Sequence, residues 1–220
     1  MLQPQDRIWC MQYAKYKYFK FPVKKHIYWL LKDFFRYLKG TSEFGLWYPK
    51  GNNLDLFAFT DADWEGCIND KKSTSGVVFF LRGCLVSWFS KKQSTISLST
   101  LEAEYIAAAN CCTQMIWTKQ TLTYILATYS HPITIYCDNT SAISISKNLV
   151  MHYKRKNIPI KYHFLRDQVL NKQITLEYIG TKDHIIVDIF TKPLPIMQFE
   201  NLINQLNICS NPTTKHQMIK

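Results

Sequence analysis

The sequence predicts an α/β layer fold built on a mixed five-stranded sheet, and three observations carry that expectation. Apolar runs of strand and helix length occur in the order three strands, a long helix, a strand, helices, a strand and a final helix, which suits a sheet layered with helices. The first three strands are close enough in sequence to form an antiparallel meander, with Arg82 and Gly83 as the tight turn between the second and third. The chain has 220 residues and is 47% hydrophobic, enough to bury one substantial core.

Between Tyr13 and Gly40 there are eight Lys/Arg and one acid, Asp33, interleaved with aromatics. Ile27, Leu30, Leu31, Phe34 and Leu38 recur at helical spacing, so this stretch is read as a basic amphipathic helix that stops at Gly40. Strands follow at Leu54 to Ala62, Ser75 to Leu81 and Leu85 to Phe89. A helix is expected from about Thr100 to Ala127, with Tyr105, Ala108, Cys112 and Met115 on its apolar side and Ser99 or Thr100 as its N-cap. The chain restarts after His131-Pro132 as a strand, Ile133 to Cys137, and continues as short helices over Ser141 to Ser146 and Ile160 to Leu170. A fifth strand, Ile174 to Ile179, precedes a helix from about His184 to Phe190 that Pro193 terminates. Residues after Leu206 read as a frayed tail.

There are 27 Lys+Arg against 16 Asp+Glu, a formal charge of +11 and a pI near 9.3, which makes a polyanion the first partner to consider. The segment 139–172 alone carries seven Lys/Arg and one acid, Asp167. Seven cysteines, odd in number and without a Cys-x-x-Cys pair and matching histidines, fit reduced thiols in a cytoplasmic or nuclear protein. No stretch reaches the length of a membrane span, and the first residues lack a secretory signal, so a secreted or membrane protein is not expected.

Four acids stand where this order of elements can gather them: Asp61 ending the first strand, Glu104 in the long helix, Asp138 ending the fourth strand, and Asp188 in the helix after the fifth. By pattern alone Asp63 is a same-face alternative to Asp61, and Glu102 competes with Glu104. Carboxylates brought together repel unless a cation intervenes, and hard divalent ions with oxygen ligands supply it. Two Mg²⁺ ions about 4 Å apart, with Mn²⁺ as a substitute, can clamp the attacking and leaving oxygens of a phosphoryl displacement.

Seven short motifs follow in order: Thr-Asp-Ala-Asp-Trp (60–64), Lys-Ser-Thr-Ser-Gly (72–76), Val-Ser-Trp (86–88) with Ser-Lys-Lys-Gln (90–93), Glu-Ala-Glu-Tyr-Ile-Ala (102–107), Tyr-Cys-Asp-Asn (136–139), Tyr-His-Phe-Leu-Arg (162–166) and Asp-Ile-Phe-Thr-Lys-Pro-Leu (188–194). Together they resemble the ribonuclease H domain of copia-type LTR retrotransposon Pol polyproteins. Arg-Tyr-Leu-Lys-Gly-Thr (36–41) with Gly-Leu-Trp-Tyr (45–48) is similar to the segment that joins the reverse transcriptase of that polyprotein to its ribonuclease H. The resemblance implies a reverse transcriptase remnant over 1–50, a ribonuclease H-like domain over 51–207 and a tail over 208–220.

It also implies an activity, Mg²⁺-dependent hydrolysis of RNA in an RNA/DNA hybrid, with Asp61, Glu104, Asp138 and Asp188 as the catalytic and metal-binding acids. The remaining reverse transcriptase part of Pol is a second expected partner. Contacts to the hybrid are expected from Lys91, Lys92, Asn139, Ser141, Lys147 and Arg155. No polymerase Tyr-x-Asp-Asp motif occurs in the chain. Cys67, Asn157, Pro159 and His184 depart from the family pattern, which keeps an inactive, nucleic-acid-binding remnant as the alternative. An integrase-like polynucleotidyl transferase is a third reading, against which the seven ordered motifs weigh.

Overall fold

The computed structural model describes residues 23–48, 50, 55–66, 70–126, 132–147, 158, 160–180, 185–192 and 194–209. In chain order the elements are α1 (Val23–Thr41), β1 (Gly45–Leu46), β2 (Leu56–Asp63), β3 (Thr74–Leu81), β4 (Cys84–Lys92), α2 (Thr100–Leu126), β5 (Ile133–Cys137) and α3 (Thr140–Lys147). A 3₁₀ turn (Ile160–His163), α4 (Phe164–Leu170), β6 (Ile174–Tyr178), a 3₁₀ helix (Ile185–Phe190), α5 (Ile196–Gln205) and β7 (Ile208–Cys209) complete the described chain. Contacts divide it into two units, residues 51–191 and residues 1–50 with 192–220. Residues 192–207, which the sequence reading carries in its core domain, group with the N-terminal segment.

The larger unit is built on the five-stranded sheet β4-β3-β2-β5-β6. The meander pairs antiparallel, β2 with β3 and β3 with β4, whereas β2–β5 and β5–β6 are parallel. Arg82 and Gly83 both adopt positive φ, 59° and 70°, as the two-residue hairpin turn requires. Alternation along β2 sends Leu56, Ala58 and Thr60 to one face of the sheet and Phe57, Phe59 and Asp61 to the other.

The first face carries the core. Leu56, Ala58, Val77, Ile133, Ile135 and Leu176 of the sheet cluster with Tyr105, Ala108, Cys112 and Met115 of α2 and with Leu165 of α4. Every residue of α2 from Glu102 to Ala109 is buried, and the alanines at 103, 107, 108 and 109 allow the close approach that such enclosure needs. On the opposite face Phe57 stacks on Phe80 with centroids 5.2 Å apart, and Phe59 on Tyr136 at 5.1 Å. Phe57, Phe59 and Tyr136 are half-buried and Phe80 is buried, and together they form a second aromatic layer outside the main core.

Ser99 is the N-cap of α2: its hydroxyl accepts the Glu102 N–H, while the Glu102 carboxylate accepts the Leu98 N–H at 2.7 Å. Asn139 caps α3 in the same manner, its side-chain oxygen accepting the Ala142 N–H at 3.0 Å.

The smaller unit contains α1, α5 and the antiparallel pair β1–β7, with Gly45 opposite Cys209 and Leu46 opposite Ile208. Ile208 and Cys209, expected in the frayed tail after Leu206, are held by backbone pairing, and residues 210–220 of that tail lie outside the described residues. α5 is an element the sequence reading does not contain; it starts after Pro195 and buries Phe199 and Leu202. In α1 the side chains of Leu31, Phe34 and Leu38 are exposed. The helix expected over 184–190 is a 3₁₀ helix that starts at Ile185.

Ile135 is fully buried in the strand between β2 and β6. Ile135→Ala should cost about 2–5 kcal/mol in urea-induced unfolding, since the cavity lies in the middle of the core.

Candidate active site

The site forms where two parallel strands separate. β2 and β5 pair only as far as Phe59 opposite Tyr136. Beyond that point β2 remains bound to β3 up to Asp63, and β5 to β6 up to Cys137. The backbone of β2 that faces the gap needs a partner, and Glu104 reaches in from α2 to provide it. One Glu104 oxygen accepts the Ala62 N–H at 3.0 Å, and the other lies 3.9 Å from the Cys137 sulfur, which donates to it. A single buried carboxylate thus bridges the two diverging strand ends.

Asp138 follows directly on β5. Ligand atoms of Glu104, Cys137 and Asp138 lie within 4.8 Å of one another, the group among the described residues that could hold a metal ion. Burial, then the charge of Glu104, pushes the Cys137 thiol well above its ordinary range; the Asn139 N–H lowers it in part, and the charges of Asp138 and Asp61 raise it by less. Three carboxylates therefore act on one buried sulfur that keeps its proton. With that thiol neutral, the donors on offer are carboxylate oxygens, which fit a hard divalent cation.

Asp61 lies next to Ala62 on β2 and points to the face opposite α2. There it meets the 3₁₀ helix that carries Asp188. The Thr191 hydroxyl donates to an Asp61 oxygen at 2.6 Å, and the Thr191 N–H donates to the Asp188 carbonyl at 3.0 Å. Asp61 and Asp188 are both buried. Gly76 stands directly opposite Asp61 on β3, and a Cβ there would come within 2.5 Å of the Thr191 methyl and 3.3 Å of the Val187 carbonyl. The missing side chain is what lets the 3₁₀ helix sit against the sheet at this point.

The paired alternatives are differently placed. Glu102 is spent on the helix cap, whereas Glu104 faces the gap between strands. Asp63 ends β2 in a turn whose carbonyl accepts the Gly66 N–H.

The basic and polar residues expected at the hybrid are spread more widely. Lys91 and Lys92 lie on the edge strand β4, Lys91 exposed and Lys92 paired with Asp70 at 2.6 Å, so a phosphate must compete with that carboxylate for Lys92. Asn139 caps α3, Ser141 is exposed in its first turn and Lys147 in its last. Arg155 and His184 lie outside the described residues, as do Cys67, Asn157 and Pro159. Thr191, Gly76 and Cys137 are site residues that the sequence reading quotes inside its motifs without giving them a role.

No protein-family model matches the chain. Over 197 residues, 89% of its length, it is 38% identical to the retrovirus-related Pol polyprotein from transposon RE2 of Arabidopsis thaliana. Over 182 residues, 81% of its length, it is 38% identical to the Pol polyprotein from transposon TNT 1-94 of Nicotiana tabacum. The chain spans 13% of the length of each of these relatives. Among solved structures, LC11-RNase H1, isolated from compost by a metagenomic approach, matches 62% of this chain and 92% of its own at 12% identity and a TM-score of 0.44. The larger unit has the mixed five-stranded sheet with flanking helices that the sequence predicts. Over most of its length the chain is thus similar to retrovirus-related Pol polyproteins of transposons.

Two outcomes follow from this packing. Gly76→Ala should lower stability by about 1–3 kcal/mol in chemical denaturation, because the 3₁₀ helix must move away from β3. Burial pushes the Cys112 thiol from 9.0 up to about 12. The folded form thus holds this proton more tightly than the unfolded chain. The stability it contributes is complete below pH 9 and is lost as pH rises toward 12, and urea unfolding across that range should show the decline less steeply in Cys112→Ala.

Proposed function

We propose that residues 51–191 carry a metal-dependent ribonuclease H that hydrolyses the RNA strand of RNA/DNA hybrids, as part of a larger Pol polyprotein. The observation that carries this reading is Glu104 bridging the parted ends of β2 and β5, with Asp138 beside it and Asp61 on the adjoining residue of β2. Carboxylates gathered at the ends of parallel strands, from elements far apart in sequence, are costly to bury without a counter-ion. Kinship with Pol polyproteins supports the same reading.

In this proposal Asp61, Glu104, Asp138 and Asp188 hold two Mg²⁺ ions, for which Mn²⁺ can substitute. The ions would supply charge to a phosphodiester and lower the pKa of a water at neutral pH. The chain's own residues set the stage. Glu104 keeps one oxygen on the Ala62 N–H, so its other oxygen stays aimed into the gap, while Thr191 does the same for Asp61. Lys91 and Lys147, exposed at the edge strand and at the end of α3, attract the phosphates of the hybrid and hold its backbone. Ser141 is an exposed hydroxyl placed to meet a ribose 2′-hydroxyl.

Purified protein with Mg²⁺ should cut a labelled RNA/DNA hybrid, spare duplex DNA, and lose about 10²-fold or more of its rate in Asp138→Asn. Equal rates for the two proteins, or salt-sensitive hybrid binding with no cleavage in Mg²⁺ or Mn²⁺, would replace the nuclease with a binding remnant.

A further inference from the structure

The chemistry of the cation site calls for carboxylates held in fixed orientations, and the residue that holds Asp61 is outside the set of four acids. Thr191 is 4% exposed and makes its 2.6 Å hydrogen bond across 130 residues of sequence. Its hydroxyl has a single proton. The Asp188 carbonyl lies 3.2 Å from the same oxygen, but the shorter partner is an anion, and an O–H···O⁻ bond of this length is the stronger of the two. The proton therefore goes to Asp61, and the Thr191 N–H serves the Asp188 carbonyl.

This arrangement fixes one oxygen of Asp61, and the other has no hydrogen-bond partner among the described residues. It also fastens the turn that carries Asp188 to the strand that carries Asp61, so the two acids cannot drift independently. Gly76 reinforces the contact from the facing strand by leaving room for the Thr191 methyl and for the backbone of the 3₁₀ helix.

We infer that Thr191 is a positioning residue that orients the Asp61 carboxylate toward a divalent cation and couples it to the Asp188 turn. The inference rests on the proposed ribonuclease H reading for its cation, and it concerns how the site is held together. Outer groups that orient a metal's ligands are commonly worth 10–100-fold in affinity.

Thr191→Val keeps the shape and removes the hydroxyl, whereas Thr191→Ser keeps the hydroxyl and removes the methyl. Mn²⁺ affinity, measured by electron paramagnetic resonance of the free ion, should fall about tenfold or more in Thr191→Val and stay within about threefold of wild type in Thr191→Ser. In an Asp61→Asn background the Val substitution should produce no further loss, which a purely structural role for Thr191 would not predict. If Thr191→Val does not fold, Thr191→Ala is read in the same way. Mn²⁺ binding by the Val variant equal to wild type, or equal loss in Val and Ser, overturns the inference. If wild type binds Mn²⁺ and the Val variant binds it weakly while neither cuts a hybrid, Thr191 retains its role and the nuclease reading fails.

Discussion

The parting of β2 from β5 is the constraint on which the rest of the site depends. Parallel strands that stay paired to their ends satisfy their own backbone, but here pairing stops at Phe59 and Tyr136 while both strands run on. The half-buried N–H of Ala62 is left in need of an acceptor. Glu104 supplies it, and in doing so places a carboxylate in the gap. The same interaction thus completes the backbone of the sheet and puts negative charge where the strands open.

That charge determines the chemistry available. Asp61, Glu104 and Asp138 all act on the Cys137 thiol, which keeps its proton, so the gap presents oxygen donors of one sign. The sheet confines this set from both sides. α2 presses Glu104 in from the core face, and the 3₁₀ helix holds Asp61 from the other through Thr191. The small residues that permit this approach, Gly76 and the alanines of α2, are enclosed and leave little room for a larger side chain.

Much of the architecture was legible in the sequence because it is written locally. β5 runs from Ile133 to Cys137 as read, since Pro132 and Asp138 bracket an apolar run, and α2 matches to within a residue. The Glu102 and Glu104 ambiguity had a readable clue: Ser99 three residues before Glu102 is the spacing of a reciprocal helix cap. Other features had no local signal. β7 is two residues long and exists only because β1 pairs with it. α5 is missed because Pro193 reads as an ending, although Ile196, Phe199, Leu202 and Leu206 keep helical spacing. The bond from Thr191 to Asp61 joins positions 130 residues apart, and no pattern within either segment specifies it.

The central claim is that these carboxylates converge to seat divalent cations. Anomalous diffraction from crystals soaked in Mn²⁺ tests it most directly. The account predicts two manganese peaks bounded by the carboxylates of Asp61, Glu104, Asp138 and Asp188. Saturating Mn²⁺ with no peak between β2 and β5, or peaks only elsewhere on the molecule, would contradict it.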